Sequence, residues 1–228
     1  MGPTALRTIS LRSQVKDILR AQIAAGELAS DEIYSAVSLA ARLGVSPTPV
    51  REAMLDLASR GLVEPVRNRG FRVLTVSPQD LDEIVAMRLW LEVPAVERVI
   101  ELASDEDLEA LRPLADRIVM AARRRRTSDF VLADSEFHQA LLRLARNERL
   151  LETVTELRDQ TRLLGLEKLS RSGELELSAE EHRLILDAML ARDAASARRL
   201  MEAHLRHTRG IWAGTDEQGQ GGGARAAA

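Results

Sequence analysis

The sequence predicts a mainly α-helical chain in two parts: three helices with a small β-hairpin, then an antiparallel six-helix bundle. Three observations predict it. Aromatic residues make up 3 % of the 228, whereas Ala, Leu, Glu and Arg are plentiful, a mixture that favours helices packed on helices. Apolar residues recur at helical spacing through most of the chain, and a β-prone stretch interrupts them at 62–76. The charge is also split. Residues 1–76 carry ten Arg/Lys and seven Asp/Glu, a balance of +3, which leaves −6 of the net −3 for residues 77–228. A basic first third and an acidic remainder suggest two units with different partners.

The elements follow in order. Leu11, Val15, Ile18, Leu19 and Ile23 trace a helical stripe that ends near Gly26. A short helix is expected at 35–43, then a tight turn at Gly44-Val45-Ser46. Pro47, suited to a first helical turn, opens a third helix to about Ser59 with Val50, Met54 and Leu57 on one face. Gly61 stops it, and LVEPVRNRGFRVLTV reads as a hairpin around Arg67-Asn68-Arg69-Gly70. Three helices and a hairpin are the layout of a winged helix-turn-helix, placed at 1–76. Ser77-Pro78-Gln79-Asp80 then starts the bundle, at 77–212. Its helices are expected at 78–101, 105–126, 129–146, 148–170, 179–191 and 194–212. Ser104, Ser128, Ser178 and Asp193 are the expected caps, with a capping box at Ser178–Glu181. The Gly/Ala-rich residues 213–228 read as a disordered tail.

Several classes are excluded. No apolar run approaches the roughly 18 residues of a membrane span, and the N-terminus lacks the apolar stretch of a signal peptide. The chain has no cysteine, which removes disulfides, thiolate metal sites and cysteine nucleophiles. A cytoplasmic address is the expectation.

In a helix-turn-helix the second helix lies in the DNA major groove, with base-reading side chains near its N-terminus. Here that end carries Ser46, Thr48 and Arg51. Hydroxyls bond phosphates or base edges, and an arginine grips a guanine edge or a phosphate bidentately. Arg67 and Arg69 with Gly70 form a hairpin tip suited to the backbone or minor groove. The stretch LGVSPTPVREAMLDLASRGLVEPVRNRGFRV resembles the DNA-binding signature of GntR-family bacterial transcription regulators, a match over roughly residues 10–75. The resemblance implies that Ser46, Thr48, Arg51, Arg69 and Gly70 contact DNA. Pro47 stands where many members have arginine, and Ser30-Asp31 where a Pro-Gly turn is usual.

The four histidines, His138, His182, His204 and His207, all lie in the bundle. Asp134 and His138 fall on the stripe of Phe130, Phe137, Leu141 and Ala145. His182 lines up with Ile185 and Met189, and His204 follows Ala197, Leu200 and Met201. Three helices therefore turn imidazole or carboxylate toward one core. A buried carboxylate needs a cation or strong donors. Three neutral imidazoles and one carboxylate suit Zn, Ni, Mn, Fe or Co, with positions left open. The plainer alternative is a set of hydrogen-bonded core histidines, and His207, at the stripe's margin, is read that way.

The pieces MRLWLE, DSEFHQALLRLARN, EHRLIL and MEAHL, over about residues 78–210, resemble the FCD effector-binding domain of the FadR branch of GntR regulators. That resemblance implies a divalent metal on Asp134, His138, His182 and His204, with a small organic acid beside it. Arg88 shares a stripe with Leu81, Ile84 and Val85; it either clamps an effector carboxylate or pairs with Glu92 at i,i+4. The resulting expectation is a ligand-responsive repressor, not an enzyme. It acts as a homodimer on a palindromic double-stranded DNA operator, because one winged helix reads few bases. The alternative is a metal-dependent enzyme with an accessory DNA-binding domain, against which stands the lack of a spare carboxylate as general base.

Overall fold

The computed structural model describes residues 11–161 and 174–213. Its elements run α1 (Leu11–Ala24), β1 (Ile33–Tyr34), α2 (Ala36–Leu43), α3 (Pro47–Ser59), β2 (Val63–Val66) and β3 (Gly70–Val73). They continue with α4 (Pro78–Leu102), α5 (Asp105–Glu109), α6 (Arg112–Arg123), α7 (Thr127–Leu144), α8 (Glu148–Thr161), α9 (Glu174–Leu190) and α10 (Ala194–Ala213). The expected tail from 214 on, the end of the helix predicted at 148–170, and residues 1–10 lie outside the described residues. No helix among the described residues is long and apolar enough to cross a membrane.

The winged helix is built by local chemistry. Ser35 caps α2 by accepting the Ser38 N–H, and Gly44 ends it in the left-handed region at φ 68°, where a residue without Cβ is at ease. Ser46 is the extended N-cap of α3 with Pro47 just inside. The sheet order is β1-β3-β2, all antiparallel. Pro65, which has no N–H to donate, therefore sits on an edge strand. The third strand, β1, was not expected: two residues are too few to show alternation. At Gly70, φ 135°, an added Cβ would collide with the Tyr34 carbonyl across the sheet. That close approach requires glycine.

Val15, Leu19, Ile23, Val50, Met54, Leu57, Phe71 and Val73 fill the core under this unit. A larger apolar core runs through α4–α10, and Ala21 and Ala24 of α1 belong to it. Helix α1 thus packs on both sides, which ties the winged helix to the bundle.

The caps divide. Ser77 and Ser104 form capping boxes with Asp80 and Asp107, and Asp193 accepts the Ser196 N–H. The helix expected at 105–126 is instead broken at Ala110–Leu111; Pro113, lacking an N–H, fits the first turn of a new helix. Ser128 is not a cap. Helix α7 begins at Thr127, and the Ser128 hydroxyl bonds Glu27. Nor is Ser178, which lies within α9: buried Leu175 and Ala179 carry the apolar stripe back past it.

Candidate functional site

Two sites emerge, one exposed and one buried. On the winged helix, Ser46, Thr48 and Arg51 are exposed at the start of α3, and Arg67 and Arg69 at the hairpin tip. The tip turns through Asn68 at φ 58° with the Arg69 N–H bonded to the Val66 carbonyl. Arg51, Arg67 and Arg69 line one groove of about 510 Å³, together with the exposed apolar side chains of Val37 and Leu55. Gly70 is half-buried beneath the tip, and its close backbone approach is its evident use. Pro47 is exposed beside Thr48.

In the bundle, Asp134 and His138 from α7, His182 from α9 and His204 from α10 are all buried. Each offers a ligand atom within 4.8 Å of the others. The sequence grouped these four, and the fold brings them together. His138 and His204 stack with ring centroids 5.4 Å apart, while His182 meets both edge-on.

The bonds around the rings fix which nitrogens face inward. The His182 Nδ1–H donates to the Ser178 carbonyl at 3.0 Å, and His204 Nδ1 lies 2.7 Å from Glu181 Oε2. Each therefore has its unprotonated nitrogen at Nε2. His138 Nε2 is 3.1 Å from His182 Nε2, and its Nδ1 is 3.5 Å from Glu92 Oε2. Neither neutral tautomer of His138 satisfies both contacts. A proton on Nδ1 leaves two lone pairs facing each other at Nε2; a proton on Nε2 serves His182 but leaves the buried Nδ1 without a hydrogen-bond partner among the described residues. Protonating both nitrogens is resisted, because burial and then the nearby Arg158 hold the His138 pKa well below its ordinary value. Asp134 Oδ1 adds a further acceptor 3.2 Å from His182 Nε2. A cation held among these rings and the carboxylate would satisfy the lone pairs that face the centre. Adjacent nitrogen ligands on a first-row metal stand about 3 Å apart, so the spacing fits the group.

The same environment keeps the three buried imidazoles neutral. Burial, with Arg158 next for His182, lowers His182 to about 4. Burial also lowers His204 to about 4, against the opposing pull of Glu181. For Glu181, burial pushes the pKa up, but hydrogen bonds from His204 and His207 outweigh it and bring it to about 2.

Arg88 is buried and points inward, where its Nε donates to Glu92 Oε1 at 2.6 Å. The i,i+4 pair is thus formed, inside the bundle rather than on its surface. Burial lowers Arg88 to about 10, partly offset by Glu92.

Three residues of the site were missed. Arg158 of α8 donates to Asp134 at 2.7 Å and to Glu92 at 3.1 Å. It lies seven residues after Leu151 and four after Val154, both buried, so the helical stripe did carry its signal. Glu181 sits off its own helix's stripe yet reaches His204 on the neighbouring helix. His207, expected to be an ordinary core residue, joins the same carboxylate at 2.6 Å.

Comparison with known proteins agrees across the chain. Residues 11–73 match the bacterial regulatory proteins of the gntR family, and residues 83–207 match the FCD domain. The probable D-xylose utilization operon transcriptional repressor of Paenarthrobacter nicotinovorans is 32 % identical over 200 residues, covering 88 % of each chain. The HTH-type transcriptional regulator McbR of Escherichia coli K12 is 29 % identical, over 86 % of this chain and 90 % of its own. The solved structure of E. coli McbR/YncC superposes with a TM-score of 0.78 at 28 % identity, covering 91 % of this chain and 99 % of that one.

Proposed function

The chain belongs to the gntR family of bacterial regulatory proteins and carries an FCD domain, and we propose that it is a metal-dependent, carboxylate-responsive member, most simply a repressor. It is a transcription regulator with a DNA-binding and an FCD part; the repressor among its relatives supports the direction of the effect. In this reading residues 1–76 read DNA and residues 77–212 sense. Ser46, Thr48, Arg51, Arg67 and Arg69 contact phosphates and base edges, with Gly70 holding the hairpin in position. One winged helix reads too few bases, so two copies on a palindromic operator complete the recognition.

Asp134, His138, His182 and His204 are the proposed ligands of a divalent ion. One observation carries this reading: the Nε2 atoms of His138 and His182 meet at 3.1 Å, with Asp134 Oδ1 3.2 Å from the latter. Bound there, a Zn, Ni, Mn, Fe or Co ion would offset the convergent lone pairs and leave positions open to a carboxylate oxygen. The protein's own residues do the rest. Glu181 and the Ser178 carbonyl hold His204 and His182 in the tautomer that presents Nε2. Arg158 donates to Asp134 at 2.7 Å and aims its carboxylate. An organic acid entering the site would compete with Glu92 for Arg88. Its binding alters DNA affinity only through a difference between the DNA-competent and incompetent arrangements.

The test is elemental analysis of the purified protein with His138→Ala and His182→Ala beside it, followed by binding to a duplex selected by the wild type. A divalent ion near one per chain, lost in both variants, is expected. Equal metal content in all three proteins would remove the site. Small carboxylates are then screened by thermal shift on the Zn²⁺-loaded protein and read against release of that duplex.

A further inference from the structure

We propose that α8 is a lever coupling the buried ligand cluster to the winged helix, with Asp159 as its outer contact. This rests on the functional reading above and adds the route by which the sensing site reaches the DNA-reading unit. Two neighbouring residues of α8 reach different partners. Arg158 reaches inward, to Glu92 at 3.1 Å and Asp134 at 2.7 Å. Asp159 reaches outward, to Arg20 of α1 at 2.5 Å and to Arg60 at 3.4 Å. Arg60 is the C-cap residue of α3, whose opposite end carries Ser46, Thr48 and Arg51. Helix α7 repeats the device. Asp134 lies in the cluster, and the next residue, Ser135, accepts from Arg20 at 3.1 Å.

Arg20 therefore bonds the residue after Asp134 on one helix and the residue after Arg158 on another. Gln160 adds a contact at 3.5 Å to the Arg60 carbonyl. A helix moves as a stiff rod over one or two residues. Any slide or rotation of α8 that re-aims Arg158 consequently displaces Asp159 and the two arginines it holds.

Burial makes the link strict. Asp159 is 2 % exposed and Arg20 7 %, so water cannot readily replace either partner, and separation would leave a buried charge uncompensated. The joint is also not fully satisfied in the arrangement seen. The Arg20 Nε–H is buried without a hydrogen-bond partner among the described residues. A polar pocket of about 230 Å³ beside it is lined by Lys16, Arg20, Arg60, Gln139, Thr155 and Asp159. An orphaned donor next to room for movement is what a joint with a second arrangement requires. Asp159 acts through its partners and is a positioning residue.

Amide hydrogen exchange of the full chain tests the lever. Wild type and Asp159→Asn are compared with and without Zn²⁺, and each again with Arg158→Gln. In the wild type both Zn²⁺ and Arg158→Gln are expected to change exchange in α1 about tenfold, the size of an ordinary coupling. In the Asp159→Asn background that response should fall severalfold, the Ser135 contact carrying what remains, while α7 and α9 still respond. An undiminished α1 response in Asp159→Asn overturns the lever, as does a wild-type α1 that responds to neither perturbation. If Zn²⁺ leaves α7 and α9 unchanged but Arg158→Gln still moves α1 through Asp159, the lever stands and the metal reading falls. Should Asp159→Asn or Arg158→Gln fold poorly, Arg20→Lys and Arg158→Lys serve in the same design.

Discussion

The winged helix turns three arginines outward around one groove, and the bundle turns two of its own inward. Arg51, Arg67 and Arg69 stand exposed around one groove, whereas Arg88 and Arg158 are buried against Glu92 and Asp134. One residue type thus serves two ends. In water a guanidinium is available to a polyanion, and its attraction is screened by salt. Inside the bundle it is committed to carboxylates, and each charge there depends on its neighbours for the solvation it has lost. The exposed set should tolerate substitution without unfolding. The buried set should not.

The largest effect is therefore expected at Arg158. Replacing it by methionine keeps most of the apolar stem but leaves Asp134 and Glu92 with less positive charge in a site closed to water. Breaking a buried pair from one side costs about 3–5 kcal/mol, so Arg158→Met should lower the metal-free unfolding free energy by about that amount. Zn²⁺ should restore part of it by compensating Asp134. Denaturant melts with and without Zn²⁺ measure both; an unchanged midpoint would mean that Arg158 carries no charge balance.

Acid tests the same region. In the folded, metal-free protein His182 and His204 are each lowered to about 4 from an ordinary 6.5, with burial the main cause. Their folded pKa lies below the unfolded value, so the unfolded chain takes up protons first. The associated stability is fully present above about pH 6.5 and is lost as pH falls toward 4. The combined loss is expected on the order of a few kcal/mol. A pH series of denaturant melts on stripped protein measures it, and His204→Gln should flatten the curve. In the Zn²⁺-loaded protein the metal should leave only as pH falls to about 4 or below, where protons begin to compete for the folded protein's nitrogens.

How far the site could be read from the sequence follows from what a single helix's periodicity contains. Asp134, His138, His182 and His204 are legible because each interrupts an apolar stripe, and polar residues on buried stripes are rare enough to stand out. Arg158 obeys the same rule. Glu181 does not, because its partner His204 lies on another helix, and the register between helices is not written in either one. Arg20 escapes for a further reason: α1 is buried on two sides, and its stripe of Val15, Leu19 and Ile23 marks only the inner one. Cap residues mislead where a serine can also serve within a helix, as Ser178 does by offering its carbonyl to His182. The hairpin was plain from its turn residues, but β1 becomes a strand only because β3 lies beside it.

At the exposed site the expected effects shrink. Arg51→Ala should weaken binding to the selected duplex by about 1–3 kcal/mol if Arg51 grips a base, with relaxed preference at one position. If it holds only a phosphate, the loss should be uniform across sequences and the salt slope should fall by about one. Either way the melting curve and metal content should match the wild type, since Arg51 is exposed and remote from the cluster. Titrations at several salt concentrations separate the two cases. Unaltered binding at every salt would take Arg51 out of the interface.

The smallest effect is expected where an ion pair resembles the buried ones in chemistry but not in surroundings. Arg72 and Glu64 face each other across β2 and β3, 2.8 Å apart, with side chains 39 % and 46 % exposed. Water solvates both whether or not they meet, and ordering two long side chains offsets much of the attraction. A double-mutant cycle of Arg72→Ala and Glu64→Ala should give a coupling of about 0.2–1 kcal/mol that fades as salt rises. A coupling as large as that at Arg158 would show that exposure is not what separates the two regions, and the contrast between them would have to be sought in geometry. A small, screened value leaves burial as the variable that makes one arginine available to DNA and another inseparable from the fold.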